Sequence, residues 1–91
     1  MDKLPGKNTL ENATKIAIKE DRPILMDYWQ GSIDQSCLIG VRENNEKMLV
    51  KNPEEYTSPI QKIYKVEEEF IVSTENSLYI VSSCIPTKRI S

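Results

Sequence analysis

The residues of this chain that could do chemistry are two cysteines, four tyrosines, one tryptophan and many carboxylates, with no histidine. Without histidine the chain lacks the usual general base at neutral pH, the commonest metal ligand and any Ser-His or Cys-His pair. Cys37 and Cys84 lack a CxxC spacing and lie in strand-like runs, which predicts two small buried hydrophobic side chains. No spacing joins a nucleophile to a base, so we expect a noncatalytic protein without a cofactor or metal.

The first candidate binding site is the tripeptide Asp27-Tyr28-Trp29. In a strand that begins at Pro23, Asp27 and Trp29 share the face opposite Met26 and Tyr28. If Met26 and Tyr28 point inward, Trp29 stands exposed beside a carboxylate, a composition typical of partner-binding patches. The alternative is that Trp29 lies in the core, where large aromatic side chains are mostly buried.

The second candidate site gathers residues from separate turns: Arg42, Tyr56, Asn76 and Ser77. Arginine binds carboxylates and phosphates, and turn residues of this kind can hydrogen-bond a small ligand or a peptide. The alternative is that Asn76 and Ser77 serve only the local geometry of a turn.

The clustered carboxylates form a third group of candidate residues. Acid-base or cation chemistry needs a defined separation of carboxylates in a cleft, but most of these residues are typical of turns and strand edges.

The elements that must position these side chains are one helix and several short strands. Asn8 and Glu11 form a capping-box pattern, which predicts a helix over residues 8–21 after a flexible arm over residues 1–7. A proline then ends the helix, and the apolar period changes from about 3.6 to 2. This change predicts a β region over residues 23–90 of a single domain.

Five to seven short strands joined by tight turns are expected in the β region. The strongest signal is a hairpin over residues 70–74 and 77–82, both rich in β-branched and aromatic side chains. Earlier in the chain, alternation predicts a strand with Met48 and Val50 inside. Polar, proline-bracketed residues predict a long loop over 52–59.

The order of these elements predicts an α+β fold. One N-terminal helix precedes either a strongly curved antiparallel sheet or a small SH3-like barrel, because closure buries one face and removes the sheet edges. A loop is predicted over residues 30–35, and a short closing strand over residues 87–90 favours the barrel. A flatter sheet with the helix across its open face is the alternative.

Charge and hydropathy exclude several kinds of partner. The chain has 12 basic and 14 acidic residues, and their alternation leaves no extended basic field for a nucleic acid. No apolar run approaches the roughly 18 to 20 residues needed to span a bilayer, and the first residues lack the apolar core of a signal peptide. We therefore expect a cytoplasmic protein that binds neither membranes nor nucleic acid.

The stretches LENATKIAIKEDRPILMDYW, residues 10–29, and EEYTSPIQKIYKVEEEFIVSTENSLYIVSS, residues 54–83, carry a resemblance. In general character the chain resembles small uncharacterised proteins encoded by large DNA viruses of the mimivirus type. The resemblance implies a viral protein that acts in the cytoplasm of a host cell, and it assigns no functional residue. The helix, the strand after Pro23 and the Trp-Gln-Gly-Ser stretch also resemble phage proteins that sequester nucleotide signals.

These observations support two hypotheses about function. The first is a noncatalytic binding module that engages a protein partner and forms a homodimer through an exposed sheet edge or the helix. The second is a homo-oligomer that sequesters a small nucleotide ligand, with Arg42 or lysine side chains on the phosphate and a tyrosine or tryptophan stacked on the base.

Overall fold

A computed structural model of the protein describes residues 4–90, which form two helices and eight strands. The predicted arm over residues 1–7 lies partly outside the described residues, and its last residue already belongs to the first helix. Neither helix is long and apolar enough to cross a membrane. In chain order the elements are α1 (Lys7–Glu20), β1 (Ile24–Leu25), α2 (Trp29–Ile33), β2 (Leu38–Val41), β3 (Lys47–Asn52), β4 (Glu55–Tyr56), β5 (Ile60–Val66), β6 (Glu69–Thr74), β7 (Leu78–Ser82) and β8 (Thr87–Arg89).

The strands form two four-stranded sheets that do not close into a barrel. Sheet A has the strand order β1-β7-β6-β5, and sheet B has the order β4-β3-β2-β8. Most neighbours are antiparallel, but β1 runs parallel to β7 and β8 runs parallel to β2. The α+β class with an N-terminal helix is confirmed, while the single antiparallel sheet and the closed SH3-like barrel are not what residues 4–90 form.

The chain changes sheets three times, and two of these changes occur at proline-containing segments. Pro59 lies between β4 of sheet B and β5 of sheet A, and Pro86 lies between β7 of sheet A and β8 of sheet B. Proline has no N–H to continue a strand ladder, so each proline favours a break at that point. Two sheets therefore form where the sequence pattern predicted one.

Sheet A is the middle layer of the molecule, with its two central strands apolar on both faces. On one side Ile71, Leu78 and Ile80 are fully buried against Ala13 of α1 and Trp29 of α2. Burying an aliphatic side chain of this size contributes about 1.5 to 3 kcal/mol. We call this side, where the two helices lie on Ile71, Leu78 and Ile80, the covered face of sheet A.

The opposite side of sheet A packs on the inner side of sheet B. Successive residues of a strand point to opposite sides, so Val72 and Val81 face away from the helices and toward Ile39 and Leu49 of sheet B. The buried members of this second cluster are Tyr28, Cys37, Ile39, Leu49, Val72, Val81 and Ile85.

Helix α1 is capped from a distant part of the chain. Its N-cap is Gly6, and the capping box predicted for Asn8 and Glu11 is absent. One carboxylate oxygen of Glu69, at the start of β6, accepts hydrogen bonds from the Gly6 N–H (3.0 Å) and the Thr9 hydroxyl. A carboxylate here satisfies an orphan donor and interacts favourably with the helix dipole. The first turn of α1 is thus fixed to sheet A.

The predicted strand from Pro23 to Trp29 is wrong beyond β1, and α2 replaces the loop predicted over residues 30–35. The Ser32 hydroxyl explains why a helical turn forms here. It donates to the Trp29 carbonyl (2.6 Å) and accepts from the N–H of Ser82 in β7 (2.9 Å). This anchor holds α2 against sheet A and directs Trp29 into the core.

The predicted inward residues of β3 are correct only in part: Met48 is buried at 2% exposure, but Val50 is only half-buried. Leu49 lies opposite Ile39 in the core between the sheets, so Met48 and Val50 point to the other side of sheet B. A shift of one residue moves every side chain of a strand to the opposite face. The alternation was therefore correct in period, but it did not say which set faces the core between the sheets.

Two smaller predictions also need correction. The polar stretch over residues 52–59 contains the short strand β4 and is not entirely a loop. Cys37 is buried as expected, whereas Cys84 is exposed, and both are free thiols. Cys84 lies in the turn after β7, beyond the end of the strand in which it was predicted.

Candidate functional site

No helix of the described residues packs on the outer side of sheet B, although Met48 on this side is buried. Residues that pair directly across strands share a face, so Leu38, Val50 and Tyr56 lie together on this side. Ile90, which follows β8, joins them beside Val50. We call this surface the bare face of sheet B, defined by Leu38, Arg42, Val50, Tyr56 and Ile90.

An open hollow of about 600 Å³ indents the bare face. This volume is within the range of about 300 to 1,000 Å³ that is typical of ligand sites. Tyr56 is 51% exposed and Ile90 is 40% exposed, so two large side chains with apolar surface stand in solvent at its edge. The residues that line the hollow are Leu38, Arg42, Val50, Lys51, Asn52, Pro53, Tyr56 and Ile90.

Gly40 allows Ile90 to form a wall of the hollow. A Cβ at this position would lie 2.7 Å from Cδ1 of Ile90 and 3.0 Å from Cγ2 of Val50. Real Cβ atoms do not approach other atoms so closely, so any side chain here would push Ile90 outward. Gly40 therefore leaves room for a large neighbour, and that neighbour is Ile90.

Arg42 and Tyr56 contact each other at the edge of the hollow. The guanidinium carbon of Arg42 lies 5.6 Å from the centroid of the Tyr56 ring, within the range of a cation–π contact. Within residues 4–90 no ion pair involves Arg42. Both side chains also line a shallower depression of about 350 Å³, so they form a ridge between two concave surfaces. We call this pair the Arg42–Tyr56 ridge.

The turn after β2 positions Arg42. Its N–H donates to the carbonyl of Glu46 (2.8 Å), and its carbonyl accepts from the N–H of Asn45 (2.9 Å). Asn45 has a φ of 67°, a left-handed conformation that asparagine adopts more readily than most residues. The backbone of Arg42 is thereby fixed at the end of sheet B.

A second turn positions Tyr56 on the neighbouring strand. The side-chain oxygen of Asn52 accepts from the N–H groups of Glu54 (2.8 Å) and Glu55 (2.9 Å), an arrangement typical of asparagine in turns. The N–H of Thr57 then donates to the Leu49 carbonyl (2.9 Å). These bonds return the chain along β3 and direct Tyr56 to the bare face.

The other two members of the second predicted group take different positions. The Asn76 amide donates to the hydroxyl of Ser58 (3.2 Å), which lines the shallower depression, so Asn76 borders the site without lining it. Ser77 is buried and closes the β6–β7 turn, where its N–H donates to the Thr74 hydroxyl (3.2 Å). Arg42 and Tyr56 thus come together, while Ser77 serves the turn.

Asp27 and Trp29 do not form the predicted aromatic patch. Trp29 is only 5% exposed and packs under α1 on the covered face of sheet A. Asp27 is exposed in the turn before α2, so the two side chains do not share a surface. Of the two alternatives for Trp29, the core position is confirmed.

Titratable groups in the core between the sheets keep their protons at neutral pH. Burial, with smaller contributions from Tyr79 and Glu55, raises the pKa of Tyr28 to about 12. Burial likewise raises the pKa of the Cys37 thiol, against an opposing effect of Lys51. The Tyr28 and Tyr79 rings meet edge to face at 5.4 Å. A protonated thiol is a poor nucleophile, so this group acts in packing.

The carboxylates do not gather into a metal site in the described part of the chain, where no three Cys, Asp or Glu side chains are grouped for one. Most of them are exposed on turns and strands, as expected for solvated side chains. Glu69 is the buried exception, and it is engaged at the start of α1.

Sequence reasoning missed Leu38, Val50 and Ile90 as site residues. The available signal was the strand pairing: once Cys37 and Ile39 are assigned to the core, Leu38 and its partner Val50 must face outward. Comparisons with protein-family models, curated proteins and solved structures found no match for this chain. A functional assignment therefore depends on the geometry of the bare face.

Proposed function

We propose that this protein is a noncatalytic binding module that engages a segment of a protein partner on the bare face of sheet B. The observation that carries the proposal is the Arg42–Tyr56 ridge, a cation–π pair beside an apolar hollow. Arginine and tyrosine are among the residues that contribute most to binding free energy at protein interfaces.

The shape of the face favours an extended partner segment. One apolar side chain of the partner would fill the hollow above Leu38, Val50 and Ile90, while the chain crosses the ridge toward the shallower depression at Ser58. A carboxylate on that segment would accept charge-assisted hydrogen bonds from Arg42, which lacks an ion pair within residues 4–90. The partner chemistry is thus an apolar anchor next to an acidic group.

Site-specific photo-crosslinking tests this function. A photoreactive phenylalanine at position 56 should capture one partner in cells, and the yield should fall when Arg42→Met is added. The matched control carries the same group at position 18, because Ile18 is 78% exposed on α1, on the opposite side of sheet A. Equal capture from both positions, or capture from position 18 alone, would reject the bare face as the binding surface.

We further propose that the module acts in the cytoplasm of a host cell and binds a host or viral protein. The resemblance of residues 10–29 and 54–83 to proteins of large DNA viruses supports this setting. Imaging of the tagged chain in infected cells tests it, and a signal confined to a secretory compartment would argue against it.

The second candidate function is sequestration of a nucleotide signal by a homo-oligomer. The same ridge favours it, because a base can stack on Tyr56 while Arg42 binds a phosphate. A panel of nucleotides tests this by thermal unfolding, since a ligand at about 100 times its dissociation constant stabilises a protein by about 2.7 kcal/mol. No shift with any nucleotide, or an equal shift in an Arg42→Met variant, would dismiss this function.

A further inference from the structure

Strand β5 is the outer edge of sheet A and the longest strand of the molecule. It pairs with β6 on one side, and no described residue pairs with its other side. Edge strands with free backbone groups are templates for pairing with another chain. This edge belongs to a different sheet from the bare face, so pairing through β5 does not depend on the proposed function.

The hairpin geometry shows which backbone groups of β5 point outward. Strands β5 and β6 are joined by a two-residue turn, Glu67 and Glu68, and Val66 is paired with Glu69. The residues that flank such a turn exchange hydrogen bonds, and hydrogen-bonded pairs then alternate with non-hydrogen-bonded pairs. Ile63 and Lys65 fall in the non-hydrogen-bonded pairs, so their N–H and C=O groups point away from β6.

A bulge limits how much of the edge can pair. The register between β5 and β6 shifts between Ile60 and Lys62, which leaves 62–66 as the regular part of the strand. Bulges bend a strand and locally end its pairing. The regular segment has Tyr64 at its centre, so antiparallel pairing of two identical copies about a twofold axis places the two Tyr64 residues opposite each other.

In this register the side chains of two copies are complementary. Lys62 lies opposite Val66 of the second copy, and Ile63 lies opposite Lys65, so no lysine faces another lysine. Cross-strand aromatic pairs such as Tyr64 with Tyr64 stabilise antiparallel strands, and lysine stems cover apolar neighbours. Ile63, which is 38% exposed, becomes covered by the partner strand.

Charge also favours a second copy as the occupant of this edge. Lys62 and Lys65 are exposed on β5, and Glu67 and Glu68 are exposed in the turn after this strand. Antiparallel pairing brings the lysine end of each strand next to the acidic turn of the other. We propose that the protein forms a twofold homodimer in which two β5 strands pair through residues 62–66, joining the two copies of sheet A.

The mass of the assembly and its dependence on charge test the proposal. Sedimentation of the full chain should show a concentration-dependent species of twice the 10.5 kDa protomer. Lys62→Glu should raise the dissociation constant about tenfold or more, because it places acid against acid. Combining Lys62→Glu with Glu67→Lys and Glu68→Lys in the same chain should restore the dimer.

A backbone variant probes the outward hydrogen bonds directly. Ile63→Pro removes an N–H that points away from β6, so the hairpin keeps its ladder while the dimer is lost. The charge variants keep the test valid if this proline disturbs the fold, which circular dichroism will report. A monomer at the concentrations used for NMR, or a dimer insensitive to both the charge exchange and the proline, would overturn the proposal.

Discussion

Two sheet faces of this molecule point away from the common core, and only one of them is covered. On the covered face of sheet A, α1 and α2 leave Ile71, Leu78 and Ile80 with no exposed surface. On the bare face of sheet B, Tyr56 keeps about half of its surface in solvent. Both faces carry apolar side chains, so the difference arises from what packs on them. It shows that an apolar strand face can serve either as core or as a binding surface.

The two arginines on these faces differ in the same way. Arg22, on the side of α1, donates to the Ser73 hydroxyl (2.6 Å) and the Thr74 carbonyl and pairs with Glu20 at 3.3 Å. Arg42, on the bare face, contacts an aromatic ring and has no ion pair within residues 4–90. The guanidinium N–H groups of Arg22 therefore bond within the fold, whereas we propose that those of Arg42 donate to a bound ligand.

The largest expected effect comes from truncating the aromatic residue of each face. Trp29→Ala should lower the free energy of unfolding by about 3 to 5 kcal/mol, because it leaves a cavity between α1, α2 and sheet A. Tyr56→Ala should lower it by less than about 1 kcal/mol, because the ring is half exposed. Urea unfolding of both variants measures the contrast. Equal losses would mean that the bare face is part of the core.

The second contrast exchanges the arginines for methionine. Arg22→Met should cost about 2 kcal/mol, since it leaves the Glu20 carboxylate without its cation partner in a site that is about one-fifth exposed. Arg42→Met should change stability by no more than about 0.5 kcal/mol. Urea unfolding measures both variants. A large loss of stability in Arg42→Met would mean that the Arg42 side chain stabilises the fold and does not serve a binding site.

The third test uses pH to probe the burial of Tyr28 in the core between the sheets. The pKa of Tyr28, on the inner side, is raised from 10.0 to about 12, so the folded state binds this proton more tightly than the unfolded state. The stabilisation is complete below pH 10 and is lost as the pH rises toward 12, by up to about 2 kcal/mol. Unfolding curves across this range should show the loss in the natural chain and much less of it in Tyr28→Phe. Parallel curves would refute the burial of this phenol.

The smallest effect concerns the wall of the hollow. Gly40→Ala should cost about 1 kcal/mol, because the new Cβ displaces Ile90, whose side chain is partly exposed and can move. Gly31→Ala, within α2, is the control: its Cβ would lie 3.4 Å from the nearest atom, and alanine favours a helix, so we expect no loss. Hydrogen exchange of the Ile90 amide, which donates to Val41, should accelerate only in Gly40→Ala.

The local patterns predicted much of this fold. The hairpin of β6 and β7 and the helix before Pro23 are both encoded by residues close together in the chain. The parallel pairs of β1 with β7 and of β2 with β8 join segments far apart in the chain, and no local pattern encodes them. These parallel pairings were therefore not predicted.

The candidate site was predictable only in part. The structure does bring Arg42 and Tyr56 together, with the guanidinium carbon 5.6 Å from the ring centroid. The apolar part of the site was not predicted, because Val50 was assigned to the core when its neighbour Leu49 holds that place. Trp29 was left open between a core position and an exposed patch, because its burial comes with the packing of α2 on sheet A, a long-range contact that no sequence period reveals.

The most direct test of the bare face as a binding surface is the affinity of the crosslinked partner for matched variants of the two outer surfaces. Isothermal titration should show that Tyr56→Ala and Arg42→Met each raise the dissociation constant by about tenfold or more, equivalent to about 1.4 kcal/mol, while Ile18→Ala on α1 leaves it unchanged. Unchanged affinity in both bare-face variants, or a loss with Ile18→Ala alone, would contradict the claim that the partner binds the bare face of sheet B.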